Sequence, residues 1–68
     1  MEIRLTINGD VRRFSPPLTV RGLVGEMALE GKRIAIERNG EIVPRSRYAE
    51  TRLADGDRLE IVGAVGGG

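Results

Sequence analysis

Residues 2–7, EIRLTI, alternate without a break, with Ile3, Leu5 and Ile7 on one face and Glu2, Arg4 and Thr6 on the other. A period of two marks a strand with one buried face. Asn8 and Gly9 come next as a hairpin signal, and VRRF at 11–14 returns as a second strand. Val11 and Phe14 cannot share a face of a regular strand, so the pattern leaves the facing of 11–14 open; a bulge near the turn would bring the two together, but no position in the sequence marks one. SPPLTV then breaks the pattern, and Thr19 is placed to cap a helix. Val20, Leu23, Val24 and Met27 recur at helical spacing, which predicts an amphipathic helix over 20–29 with Gly31 as its stop. Gly22 and Gly25 each cost such a helix about 1 kcal/mol relative to alanine, and close packing on a sheet is the expected reason for them.

The second half is again strand-like. RIAIER sets Ile34 and Ile36 on one face, Asn39-Gly40 turns the chain, and EIVP is a short strand whose terminal Pro44 suits a sheet edge. RSRYAETRL reads as a helical turn or a loop with Tyr48 and Leu53 as apolar plugs. ADGD is a tight turn, because aspartate hydrogen-bonds its own backbone there, and a metal or acid–base role for it is the weaker reading. RLEIVGAV at 58–65 is the last strand, with Leu59, Ile61, Gly63 and Val65 toward the helix and Val62 and Ala64 exposed beside the terminal glycines.

A helix after a hairpin must cover one sheet face, or its apolar stripe stays wet. The order strand, strand, helix, strand, strand, turn, strand therefore predicts an α+β domain of the β-grasp (ubiquitin-like) kind. Its mixed sheet has four to five strands, with the first and last parallel at the centre. Residues 1–65 form that domain, and 66–68 form a flexible glycine tail leaving its central strand.

Composition narrows the function. The chain has 68 residues, no cysteine and no histidine. Thiolate metal sites and histidine acid–base chemistry are thereby excluded. Eleven basic and ten acidic residues are interspersed, and Lys32 is the single lysine. One Tyr and one Phe give nucleic-acid bases nothing to stack on, so neither nucleic-acid binding nor, without a long apolar run, a membrane span is expected. The arginines at 45, 47, 52 and 58 read as a solvated face. A cytoplasmic protein is the expectation.

The tail carries the chemistry. A terminal carboxylate becomes reactive once adenylated, and three glycines reach roughly 10 Å, at about 3.3–3.6 Å each, into a cleft that side chains would block. Gly68 is the expected adenylation and thiocarboxylate site, Gly66 and Gly67 give access, and Val62 and Ala64 dock partners. If the chain carries sulfur, the absence of a thiol leaves only the Gly68 carboxylate to hold it. No catalytic residue and no metal ligand is assigned.

The stretch from Ile34 to Gly68 resembles ThiS, the sulfur carrier family of thiamine thiazole biosynthesis. The marks are Asn39-Gly40, VPR at 43–45, LADGD at 53–57, EIV at 60–62 and the terminal glycines; TINGD and LTVRGLV extend the likeness more loosely over the chain. Two departures stand out: Tyr48 occupies a place where the family often has Trp, and three glycines replace the more usual two. The resemblance implies a carrier that is not itself an enzyme and binds no cofactor. A ThiF-type enzyme adenylates Gly68 with ATP, a cysteine-desulfurase relay supplies sulfur, and thiazole synthase (ThiG) takes it into the thiazole ring. A molybdopterin-type carrier, a protein modifier or a non-covalent binding module are the alternatives.

Overall fold

Two hairpins, each closed by an Asn-Gly pair, build most of the sheet. β1 (Ile3–Ile7) and β2 (Asp10–Phe14) pair antiparallel, as do β3 (Ile34–Arg38) and β4 (Glu41–Val43). Asn8 and Gly9 have φ of 51° and 88°, and Asn39 and Gly40 have φ of 52° and 88°. Positive φ at both central residues gives the turn that matches the right-handed twist of flanking strands, which is why asparagine and glycine stand there. The computed structural model describes residues 1–63.

The structure settles the facing of 11–14 without a bulge in β2. Register runs unbroken from Ile3↔Phe14 to Ile7↔Asp10. Phe14 lies on the core face beside Ile3 and packs on the core, whereas Val11 lies on the outer face opposite Thr6, 63% exposed. The two residues sit on opposite faces, and the sheet accommodates this by leaving Val11 in water.

The helix, α1 (Val20–Glu26), starts as expected: the Thr19 hydroxyl accepts a hydrogen bond from the Gly22 amide at 3.1 Å. The amides of Val20 and Arg21, otherwise orphaned at a helix start, donate to the carbonyls of Thr51 and Tyr48, both at 2.9 Å. The helix ends three residues before the expected 29. Ala28 takes φ 57°, its amide donates to the Gly25 carbonyl at 3.1 Å, and the Leu29 amide donates to the Val24 carbonyl at 2.9 Å. This is the Schellman ending with alanine where glycine is usual. Leu29 then folds back onto the core. That apolar contact favours stopping at Ala28 over continuing to Gly31. The glycines inside α1 do not pack on the sheet either. A Cβ at Gly22 would meet Leu18 Cδ1 at 3.2 Å, and one at Gly25 would meet the Glu30 carboxylate at 3.1 Å.

β5 (Arg58–Gly63) completes a five-stranded sheet in the order β2-β1-β5-β3-β4, parallel to β1 and antiparallel to β3. The helix covers one face. Leu5, Val20, Leu23, Ile36 and Leu59 are fully buried between them, each contributing about 1.5–3 kcal/mol. After Pro44 a 3-10 turn (Arg45–Arg47) leads into a loop in which Tyr48 and Leu53 are buried, the two plugs expected there. Among the described residues no helix is long and apolar enough to cross a membrane.

Candidate functional site: the exit of the central strand

β5 carries the chain toward the glycines, and three polar side chains fix it. At its start, Asn39 donates its amide to the Arg58 carbonyl at 2.7 Å, and its side-chain oxygen accepts from the Arg58 amide at 2.9 Å. At Ile61, beyond the last residue of β1, the Asn8 side chain takes over the ladder. Its Oδ1 accepts from the Ile61 amide at 2.7 Å and its Nδ2 donates to the Ile61 carbonyl at 2.9 Å. A side-chain amide has the same donor and acceptor as a peptide group, so Asn8 acts as one more residue of β1.

Asp57 anchors the turn before β5. It is 7% exposed. Its Oδ2 accepts from the Ala54 amide at 2.8 Å and Arg38 Nε at 3.0 Å, and its Oδ1 accepts from Asn39 Nδ2 at 3.1 Å. Burial alone would raise its pKa, but the hydrogen bonds from Ala54, Asn39 and Arg38 and the Arg38 charge outweigh it, and the carboxyl sits below its ordinary value. With both oxygens engaged, Asp57 is a structural acceptor. Among the described residues no three carboxylates gather as a metal-ligand set. The arginines expected to form a solvated face are exposed, with Arg47 3.5 Å from Glu50.

The two faces of β5 separate as expected within the described residues. Leu59 and Ile61 are buried toward the helix, and Val62 is 55% exposed on the outer face, paired with Ala35 of β3. One step back along the strand, Glu60 lies directly opposite Glu37, and Glu37 lies opposite Ile42 of β4. Ala64, Gly66, Gly67 and Gly68, and the expected domain boundary at 65, lie outside the described residues. The sequence pattern placed β5 but missed the roles of Asn8, Asn39 and Asp57. An Asn-Gly pair signals only its own turn, and the partners of Asn8 are 53 positions away.

A family model described as the ThiS family matches residues 5–68. The chain belongs to the ThiS family. It is 43% identical over 65 residues to the sulfur carrier protein ThiS of Bacillus subtilis, covering 94% of this chain and 98% of that one. It is also 50% identical over 66 residues to a thiazole synthase of Paramagnetospirillum magneticum, and there it spans only 20% of the longer protein. A ThiS-like segment is thus part of a thiazole synthase chain in that organism. Among solved structures, the crystal structure of the thiamine biosynthesis protein ThiS from Geobacter metallireducens superposes with a TM-score of 0.84 at 29% identity, covering 97% of this chain and all of that one. The five-stranded sheet with one helix is the ThiS form of the β-grasp fold.

Proposed function

We propose that this chain is the sulfur carrier of thiamine biosynthesis, a co-substrate that other enzymes act on. Family membership supports this, and one observation of the structure carries it: the strand that runs toward the glycines is central and is held from both sides as far as Ile61. The folded body thereby gives the last residues a fixed point of departure.

The Gly68 carboxylate attacks the α-phosphorus of ATP in a ThiF-type enzyme, releasing pyrophosphate. The terminal sulfur of a persulfide on a cysteine-desulfurase relay protein then attacks the acyl carbon and expels AMP. A thiol of the relay or the partner enzyme cleaves the resulting acyl disulfide, forming a disulfide on the partner side and leaving one sulfur on the carrier in place of one oxygen. Thiazole synthase consumes the resulting thiocarboxylate. The matched segment within a thiazole synthase chain supports that last partner. Gly66 and Gly67 let the backbone enter the enzyme's cleft, and Val62 and Ala64 contact the partner outside it. The carrier holds no cofactor of its own; ATP belongs to the partner. The cycle runs in the cytoplasm, where ATP is available.

The test is the intact mass after incubation with ATP, a ThiF-type enzyme and a sulfur source. A gain of one oxygen-to-sulfur exchange, confined to the C-terminal peptide and absent when Gly68 is deleted, is the expected result. An unchanged mass with an enzyme that sulfurates another ThiS carrier in parallel would remove the reading.

A further inference from the structure

Both hairpins turn on an asparagine followed by glycine, and both asparagines reach across to the chain of β5. The Asn8 carboxamide bonds the Ile61 amide and carbonyl at 2.7 and 2.9 Å. The Asn39 carboxamide accepts from the Arg58 amide at 2.9 Å and donates to Asp57 Oδ1 at 3.1 Å. These are the chain's only two asparagines, and it has no glutamine. Asparagine before glycine is prone to spontaneous loss of its side-chain amide, because glycine has no Cβ to hinder its nitrogen. The glycine nitrogen gives up its proton and attacks the asparagine Cγ. A C–N bond forms, the Cγ–Nδ2 bond breaks, and ammonia leaves with the proton. Solvent water then opens the five-membered imide, giving either aspartate in a normal backbone or a β-linked isoaspartate.

Two features of the fold oppose this reaction. Asn8 and Asn39 have φ of 51° and 52°, and the glycine after each has φ of 88°, the dihedrals of a type I′ turn. In that turn the glycine nitrogen lies anti to the asparagine Cβ about the Cα–C bond, whereas ring closure needs the two nearly eclipsed. The departing Nδ2 is also held, by the Ile61 carbonyl at Asn8 and by Asp57 at Asn39. Reaction therefore requires the turn to unwind and its asparagine to release its partner. The products fit these places poorly. An aspartate at 8 sets a carboxylate against the Ile61 carbonyl, and one at 39 sets it against the buried Asp57 carboxylate. Either way an acceptor faces an acceptor, and isoaspartate also adds a carbon to the main chain of a two-residue turn.

We propose that Asn8 and Asn39 are coupled deamidation sites, closed while β5 is seated, and that conversion of either loosens β5 and speeds conversion of the other. The strand carries one such lock from each neighbouring hairpin. The covalent lifetime of the chain is thereby set by how firmly its central strand is held.

The experiment incubates the folded chain in mildly alkaline buffer, beside the same chain unfolded in guanidinium chloride. Ion-exchange chromatography separates chains with no, one and two added carboxylates, and peptide masses assign the site. Each asparagine should convert at least about tenfold more slowly in the folded chain than in the unfolded one. Asn8→Asp should speed conversion of Asn39 by about three- to tenfold, the effect of one lost hydrogen bond on the opening equilibrium, and Asn39→Asp should do the same for Asn8. If a variant does not fold, the wild type still reads the coupling. Folded chains modified twice should then exceed the product of the two single-site fractions, whereas in guanidinium chloride they should equal it. Equal folded and unfolded rates at either site would overturn the proposal. So would folded chains modified twice only as often as that product, or Asn39 converting at its wild-type rate in a folded Asn8→Asp variant.

Discussion

Replacing Asp57 with Asn tests how the turn before β5 is held. The substitution keeps the shape but leaves one acceptor oxygen where there were two, and it places an amide donor against existing donors. Asp57 accepts from Ala54, Arg38 and Asn39. Losing one such bond costs about 1 kcal/mol, and leaving a buried donor unmatched costs about 1–3 kcal/mol more. The Arg38 ion pair adds little, because the arginine side chain is 34% exposed. The sum is about 3 kcal/mol. At roughly 0.05–0.15 kcal/mol per residue, a domain of 68 residues has about 3–10 kcal/mol in total. Asp57→Asn should therefore lower the melting temperature by about 12–24 °C, at about 4–8 °C per kcal/mol. Circular dichroism melts at neutral pH measure this directly.

The same variant has a signature in acid. The folded carboxyl titrates below the ordinary aspartate value of 3.8. Between that lowered value and 3.8 the unfolded chain binds more protons, so stability climbs with pH through this window. The contribution is complete above the unfolded pKa and is lost as pH falls through the folded one. Melts between pH 5 and the acid limit should show the gap between wild type and Asp57→Asn narrowing as pH drops. A loss under about 1 kcal/mol at neutral pH, or a gap that stays constant into acid, would refute the account of Asp57 as the central acceptor.

Two further substitutions probe other joints. Ala28→Gly relieves a left-handed alanine at the end of α1 and should stabilise the protein by about 0.5–1 kcal/mol, read as a rise in urea midpoint at constant slope. Asn8→Ala removes both side-chain bonds to Ile61 and should cost about 1–3 kcal/mol, with faster hydrogen exchange of the Ile61 amide, which loses its acceptor, while the Asn8 amide keeps its bond to the Leu59 carbonyl.

Period-two alternation located the buried residues of β1, β3 and β5, and the two Asn-Gly pairs located both hairpins. These signals are local: each depends on residues a few places apart, where sterics and solvent exposure act directly. The end of α1 at Glu26 is not legible locally, because it depends on Leu29 reaching the core while Gly31 is the stronger local cue. The facing of β2 is not legible because Val11 and Phe14 give conflicting cues, and nothing requires a single valine at a sheet edge to be buried. Glycines inside a helix suggest sheet contact, but the neighbours of Gly22 and Gly25 are Leu18 and Glu30. The polar clamps on β5 were invisible for a different reason. Asn8, Asn39 and Asp57 all sit in turns that explain them fully on local grounds, so their long-range bonds leave no separate trace in the sequence. Glu37 and Glu60 become a pair only once β3 and β5 are set in register.

Placing the last-made strand in the middle of the sheet also governs how the protein comes into being. β1 pairs with β5 through Thr6↔Arg58, and β3 pairs with the same strand through Ile34↔Gly63. Until β5 exists, the two hairpins share no strand and the helix has only part of a sheet to cover. A nascent or prematurely terminated chain cut before Arg58 would be two separate ribbons, exposed to proteolysis. Such long-range closure also slows folding relative to a protein built from local contacts. Completing the sheet and fixing the strand that leads to the last residues are therefore the same event.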